Sequence, residues 1–289
     1  MSLRLQITLI FLAPLLLLAG LFAFGLTLPV PHLGRDYVIR LMLPDINQPV
    51  DLPDIYGPED RSRPLIVIDA GHGGKDPGAS GGNRREKNVV LGLALALRDR
   101  LVDEGGIRVA LTREDDTFLI LQERPEIARR MDADLFVSIH ADSSGEVRGV
   151  NGASIYTLSA QASSEAAAKF AERENNADNV NGVVIDGHSQ EVSDILVELS
   201  QRRVQENSSE FAGLIVREGR GSIRFHPQAR RSAELAVLRA PDVPAVLYEA
   251  GYISDPSDAQ RLASEEGRAQ FAEVMARAIR IYFARQASN

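Results

Sequence analysis

Three short, nearly unbroken apolar runs constrain this chain more than any other feature: LIVID at 65–69, DLFVSI at 134–139 and AVLY at 245–248. A strand with one face in water alternates apolar and polar residues, whereas a strand covered on both faces reads as a continuous apolar run. Between these runs the period changes. Over 86–104, Val89, Val90, Leu93, Leu97 and Leu101 recur at helical spacing, and Gly105-Gly106 stops the helix. The spacing predicts further strands at 108–112 and 153–158. It predicts a short helix at 121–131, with Pro125 in its first turn, and a closing amphipathic helix at 265–284. A helix-rich stretch runs over 163–217, interrupted near 179–189. Strands alternating with helices predict an α/β fold: one domain with a central mixed, mostly parallel sheet flanked by helices.

The segment before that domain has a different character. Residues 7–30 carry no charge over 24 positions, enough to cross a hydrocarbon core of about 30 Å as a helix. They read as a signal peptide or membrane anchor, so residues 1–30 form an export segment. A secretory signal ordinarily has a shorter apolar region and a small-residue cleavage site, and Ala23-Phe24-Gly25 is a weak match to one. Arg4 before the segment and Arg35 and Arg40 after it give no firm orientation. Residues 31–63, with five prolines, read as a linker. The folded domain is expected over 64–286. A net charge of −8 argues against a nucleic-acid partner. With no cysteine in the chain, any metal site must use His, Asp or Glu.

Ligand sites in open α/β sheets lie beyond the carboxyl ends of the strands, and there this sequence is informative. LIVID runs into Ala70-Gly71-His72-Gly73-Gly74, DLFVSI into His140-Ala141-Asp142, and AVLY into Glu249-Ala250-Gly251; Glu86 opens the first long helix. Two imidazoles and two carboxylates are thus expected at one rim. A catalytic zinc often takes two His and one Glu and keeps a position open for water. A second carboxylate is then needed to move the water proton to the leaving group. We assign His72, Glu86 and His140 to the metal and Glu249 to the proton shuttle. The glycines around His72 allow a sharp turn and close approach of the backbone, and the Gly-rich loop 73–85 reads as a substrate-contacting rim. Taken singly, each residue has a plainer explanation, such as helix-dipole compensation for Glu86; their common placement carries the metal reading.

The segments VIDAGHGGKDPGASG, REKNVVL, LTREDDTFLILQERPEIAR, DLFVSIHAD and LRAPDVPAVLYEAGYISD occur in that order. Together they resemble the zinc-dependent N-acetylmuramoyl-L-alanine amidases of bacterial cell walls, over about 65–283. The resemblance implies that His72, Glu86 and His140 bind Zn2+ and that Glu249 is catalytic. It further implies a peptidoglycan hydrolase that cuts between the lactyl group of N-acetylmuramic acid and L-alanine of the stem peptide, in wall remodelling or daughter-cell separation. Its expected location is the periplasm or the outer face of the cell membrane, exported or anchored by residues 7–30. The long insert at 159–218, with AERENNADNVNG, resembles the periplasmic cell-division amidases. In those, a helix covers the site until an activator protein displaces it. Glu165, Glu172 and Glu174 are the candidate plug carboxylates here. Two departures stand out: no β-domain for wall targeting fits within 31–63, and Tyr248 occupies a place where the family usually has an aliphatic residue.

Two other readings share these residues. One is a zinc peptidase cutting within the stem peptide, and the other is a catalytically silent peptidoglycan-binding regulator. His188 and His226 read as loop residues, and Arg113 and Arg124 as partners in structural ion pairs. Arg217, Arg220, Arg224, Arg230 and Arg231 form a basic group that reads as a solvated face, with contact to the carboxylates of stem peptides as the alternative.

Overall fold

The computed structural model describes residues 52–143, 149–180 and 194–288. The expected export segment, most of the expected linker and His188 lie outside the described residues. Among the described residues no helix is long and apolar enough to cross a membrane.

The apolar runs form the middle of a six-stranded sheet. Strand β1 spans Leu65–Ala70, and a small hairpin of β2 (Ser80–Gly81) and β3 (Arg84–Arg85) follows. Strands β4 (Arg108–Leu111), β5 (Leu135–His140), β6 (Ala153–Leu158), β7 (Phe225–Ala233) and β8 (Ala245–Glu249) complete the set. The order is β4-β1-β5-β8-β6-β7. β4, β1, β5 and β8 run parallel, while β6 pairs antiparallel with β8 and parallel with β7. The expected mixed, mostly parallel sheet is what forms. Every residue of β1, β5 and β8 is buried, which is why their sequences lack alternation.

Helices cover both faces. Helix α1 (Glu86–Glu104) ends where Gly105 adopts φ 67° and its N–H returns to Leu101 O and Val102 O, a conformation that glycine takes without steric cost. Helix α2 spans Glu123–Arg130, α3 Glu165–Asn175, α4 Ala177–Val180, α5 Asp194–Glu218, α6 Pro256–Ala263 and α7 Glu265–Gln286. On one face Leu93 and Leu97 of α1, Phe211 of α5 and Phe271, Ile279 and Tyr282 of α7 pack on Ile66, Ile68 and Val137. On the other, Ile127 of α2 and Phe170 of α3 pack on Leu65, Val67, Phe136, Tyr156 and Leu247.

Two features at the edges of the six-stranded sheet differ from the sequence expectation. Strand β7 contains Pro227 and the charged pair Arg230-Arg231, which argue against a strand. It forms because it lies at the sheet edge, where the missing proline N–H is no loss, and because a bulge separates the pair Ala153–Phe225 from Ile155–Arg230. The other is Tyr56, within the stretch read as linker. Its N–H and C=O both pair with Val109, at 2.7 and 2.9 Å. This partly covers β4, the opposite edge, which otherwise presents open hydrogen-bonding groups.

Candidate metal centre and catalytic site

The strand ends bring their polar residues together. After β1 the Gly71 N–H bonds Ile139 O at 3.1 Å, which carries the chain alongside β5. A Cβ on Gly71 would lie 2.5 Å from the His140 ring, so this backbone passes against the imidazole only as glycine. His72 then turns into the left-handed region, with φ 58°, which is uncommon outside glycine. Its Nδ1 lies 2.7 Å from Asp76 Oδ2. An ionised carboxylate only accepts, so Nδ1 carries a proton, and in the neutral imidazole that metal binding requires Nε2 presents the lone pair.

His72 Nε2 is buried without a hydrogen-bond partner. Glu86 Oε1 lies 3.2 Å from it and 3.1 Å from His140 Nδ1. The Glu86 carboxylate is held from both sides, Oε1 accepting from the Ala141 N–H and Oε2 from the Ala79 N–H, each at 2.8 Å. A fourth group comes from the insert: Glu174 Oε2 lies 3.3 Å from His140 Nδ1 and 3.8 Å from His72 Nε2. The ligand atoms of His72, His140 and Glu174 all fall within 4.8 Å of one another and could hold a metal ion. Two imidazole nitrogens and carboxylate oxygens suit a zinc-sized cation. The unpartnered His72 Nε2 is the atom such an ion would satisfy.

Glu249 ends β8 directly beside His140 in the sheet register. Its Oε1 accepts from the Asp142 N–H at 2.6 Å, while Oε2 is buried without a hydrogen-bond partner. Charge is concentrated in this small volume. Burial pushes the Glu249 carboxyl well up, and Asp142 and Glu86 push it further. Burial likewise raises Asp142 to about 7, with help from Glu174 and Glu86 and against the Arg173 guanidinium that pairs with it. Burial opposes ionisation of Glu86, yet the imidazoles of His72 and His140 hold its carboxyl well below the usual range. Burial would lower His72 too, but Glu86 and Asp76 together raise it well above an ordinary histidine. An anion-rich pocket of this kind favours a cation.

The structure therefore gathers His72, Glu86, His140 and Glu249, the four residues assigned from sequence. Of the three insert glutamates only Glu174 reaches the imidazoles. Glu165 is exposed and paired with Lys169 at 2.7 Å, and Glu172 is exposed. Asp76 and Asp142 join the site without a sequence assignment, although Asp76 stands only four positions after His72 in the same Gly-rich loop. Of the basic group, Arg231 is buried and donates to Tyr156 Oη at 2.9 Å; it does not belong to a solvated face. Its neighbour Arg230 donates to Ser209 Oγ at 2.7 Å. His226, read as a loop residue, lies in β7 beside Arg231.

A family model described as N-acetylmuramoyl-L-alanine amidase matches residues 66–280. The chain is 38% identical over 224 residues to the amidase AmiC of Neisseria meningitidis, covering 76% of this chain and 53% of that one. It is 37% identical over 221 residues to the amidase AmiA of Escherichia coli K12, covering 76% of each. It thus spans about half the length of the first relative. Among solved structures, the amidase AmiC2 of Nostoc punctiforme superimposes with TM-score 0.54 at 32% identity, over 76% of this chain and 97% of that one. The catalytic domain of CwlV from Bacillus (Paenibacillus) polymyxa var. colistinus gives TM-score 0.54 at 28% identity, over 76% and 98%.

Proposed function

The chain belongs to the N-acetylmuramoyl-L-alanine amidase family, and from that premise we propose that it is a zinc-dependent peptidoglycan hydrolase. It cuts the amide between the lactyl group of N-acetylmuramic acid and L-alanine of the stem peptide, outside the cytoplasmic membrane, in wall remodelling or daughter-cell separation. The observation that carries this reading is the meeting of His72 Nε2, His140 Nδ1 and Glu86 Oε1 within 3.2 Å contacts, beside a Glu249 oxygen that no other group engages.

His72, His140 and Glu86 would hold the zinc. When bound, zinc supplies the Lewis acidity that polarises the amide carbonyl and acidifies a water to a pKa of ~7. Glu249 would take the proton from the attacking water as its oxygen adds to the carbonyl carbon. It then delivers the proton to the alanine nitrogen as the C–N bond breaks. Burial of Glu249, with Asp142 and Glu86 beside it, raises its pKa, the direction that suits a carboxyl group which must hold a proton and return it. The products are a free lactyl carboxylate and a peptide with a free L-alanine amine. Asp76 holds the His72 tautomer, so Asp76→Ala is expected to weaken zinc binding about 10–100-fold, read by competition with a chromogenic chelator.

The proposal is tested on purified sacculi with the full chain, with and without zinc, followed by mass analysis of the soluble peptides. Peptides that begin with an unblocked L-alanine, released only with zinc, support it. Release of shorter peptides with L-alanine left on the glycan would assign a stem-peptide peptidase instead. Zinc-loaded protein that binds sacculi and releases nothing, even with Glu174→Ala, would assign a silent wall-binding regulator.

Glu174 motivates a finer reading: α3 acts as a plug that occupies a metal position until a partner protein withdraws it. The contacts of Glu174 with both imidazoles support this.

A further inference from the structure

Two buried arginines outside the catalytic group grip the segment that carries His72. Arg124 Nη1 donates to Asp69 Oδ1 at 2.8 Å and to Ala70 O at 2.9 Å. Its Nη2 donates to His72 O at 2.8 Å and to Leu119 O at 3.2 Å. Arg113 Nε donates to Ala70 O at 2.8 Å, and its Nη2 to Gly71 O at 2.8 Å and Lys87 O at 2.9 Å. Three consecutive carbonyls, of residues 70, 71 and 72, are thereby fixed by guanidinium donors. The Lys87 carbonyl adds the first turn of α1, the turn that bears Glu86. Asp69, which anchors Arg124, also accepts from Thr112 Oγ1 and Ser138 Oγ, each at 2.7 Å. The last of these ties in β5, which ends in His140.

A buried ion pair is a weak device for stability, because both charges lose their water. Its other use is geometric, since a guanidinium is a rigid fork of five donors. Here the fork is spent where the backbone needs it: His72 holds φ 58°, and a carbonyl at each of the three positions through that turn has a fixed partner. Without those partners residue 72 would relax toward the ordinary right-handed or extended regions, and its imidazole would swing away from His140.

We propose that Arg113 and Arg124 are positioning residues for the metal centre, which set the placement of His72 relative to Glu86 and His140 rather than the stability of the sheet. This rests on the metal reading above. The test uses the full chain with Arg113→Lys, Arg124→Lys and, as a control, Leu97→Ala, which weakens the core about three turns along α1 from Glu86. For each, zinc affinity is measured by chelator competition, the visible spectrum is taken of the cobalt-substituted protein, and the thermal midpoint is measured with chelator present. A lysine restores charge without the fork. The expected result is zinc affinity reduced by about tenfold or more and an altered cobalt spectrum in the arginine variants. Leu97→Ala should lose thermal stability and keep both metal signatures. Arginine variants that bind zinc as the unmodified chain does, with the same cobalt spectrum, would overturn the inference, whatever their melting behaviour. Should Arg124→Lys fail to fold, Arg113→Lys, which leaves the Asp69 ion pair intact, still decides the question. An unmodified chain that binds no zinc would instead sink the metal reading itself.

Discussion

Replacing Glu249 by glutamine is expected to lower kcat about 10²–10⁴-fold while zinc stoichiometry and affinity stay unchanged. The substitution is close to isosteric. The Oε1 position still accepts from the Asp142 N–H, and β8 keeps its buried register between β5 and β6. What is lost is the ability to take and return a proton at Oε2, the oxygen that no protein group engages. The amide nitrogen that replaces it can only donate. The hydrogen bond that holds Glu249 runs to a backbone N–H rather than to His72, Glu86 or His140, so removing its charge leaves those three side chains in place. Turnover of a soluble muramyl-peptide, measured beside metal content, checks this. A Glu249→Gln variant that retains a tenth or more of the activity would mean that another group moves the proton. Asp142, raised to about 7 beside it, would be the next to replace.

The part of this site that could be read in the sequence is the part carried by the sheet. His72, His140 and Glu249 each follow a run whose apolar character is dictated by burial on both faces, so the run marks both the strand and its end. Glu86 is legible because a helix period begins there. Glu174 is not separable from Glu165 and Glu172 by composition, yet a signal exists. Ala167, Phe170, Ala171 and Glu174 stand at i, i+3, i+4 and i+7, the stripe a helix buries. A carboxylate on that stripe must meet a partner inside, whereas Glu165 and Glu172 lie off it. The arginine grip on residues 70–72 has no local signal, because it depends on long-range contacts between Arg113, Arg124 and a backbone more than forty positions away. Helix α6 is too short for periodicity to reveal, but its start is marked. Asp255 before Pro256 is an N-cap and first-turn signature, and Asp255 does accept from the Ser257 and Asp258 N–H groups. Strand β7 follows from no local signal, since an edge strand with a bulge need not alternate.

Glu174→Ala is expected to raise the activity of the isolated protein on peptidoglycan by about tenfold to a hundredfold. A contact made by a charged group is worth about 1.5–3 kcal/mol, and about 1.4 kcal/mol is a factor of ten in an equilibrium between plugged and open forms. The Glu174 carboxylate is the part of α3 that reaches the imidazoles. The rest of the helix is held by other means. Phe170 stacks on Tyr156 with ring centroids 4.5 Å apart. Asn175 donates to Glu234 O at 2.7 Å and accepts from the Ala236 N–H at 2.8 Å. Arg173 pairs with Asp142, and in α4, which follows directly, Asp178 accepts from the Leu121 N–H at 2.7 Å. These anchors keep α3 near the site even without Glu174, so the helix still obstructs part of the approach. Adding Arg173→Ala should release it further and raise activity again. Glu165→Ala and Glu172→Ala remove carboxylates of the same helix that face solvent, and their activity should stay within about twofold of the unmodified chain, since exposed charges contribute little. Measured together on labelled sacculi with no other protein present, the four variants separate a plug from a general effect of charge on the insert. Equal activity for Glu174→Ala and Glu172→Ala would mean that α3 does not restrain the enzyme. A Glu174→Ala variant that loses both zinc and turnover would instead count the Glu174 carboxylate among the permanent ligands.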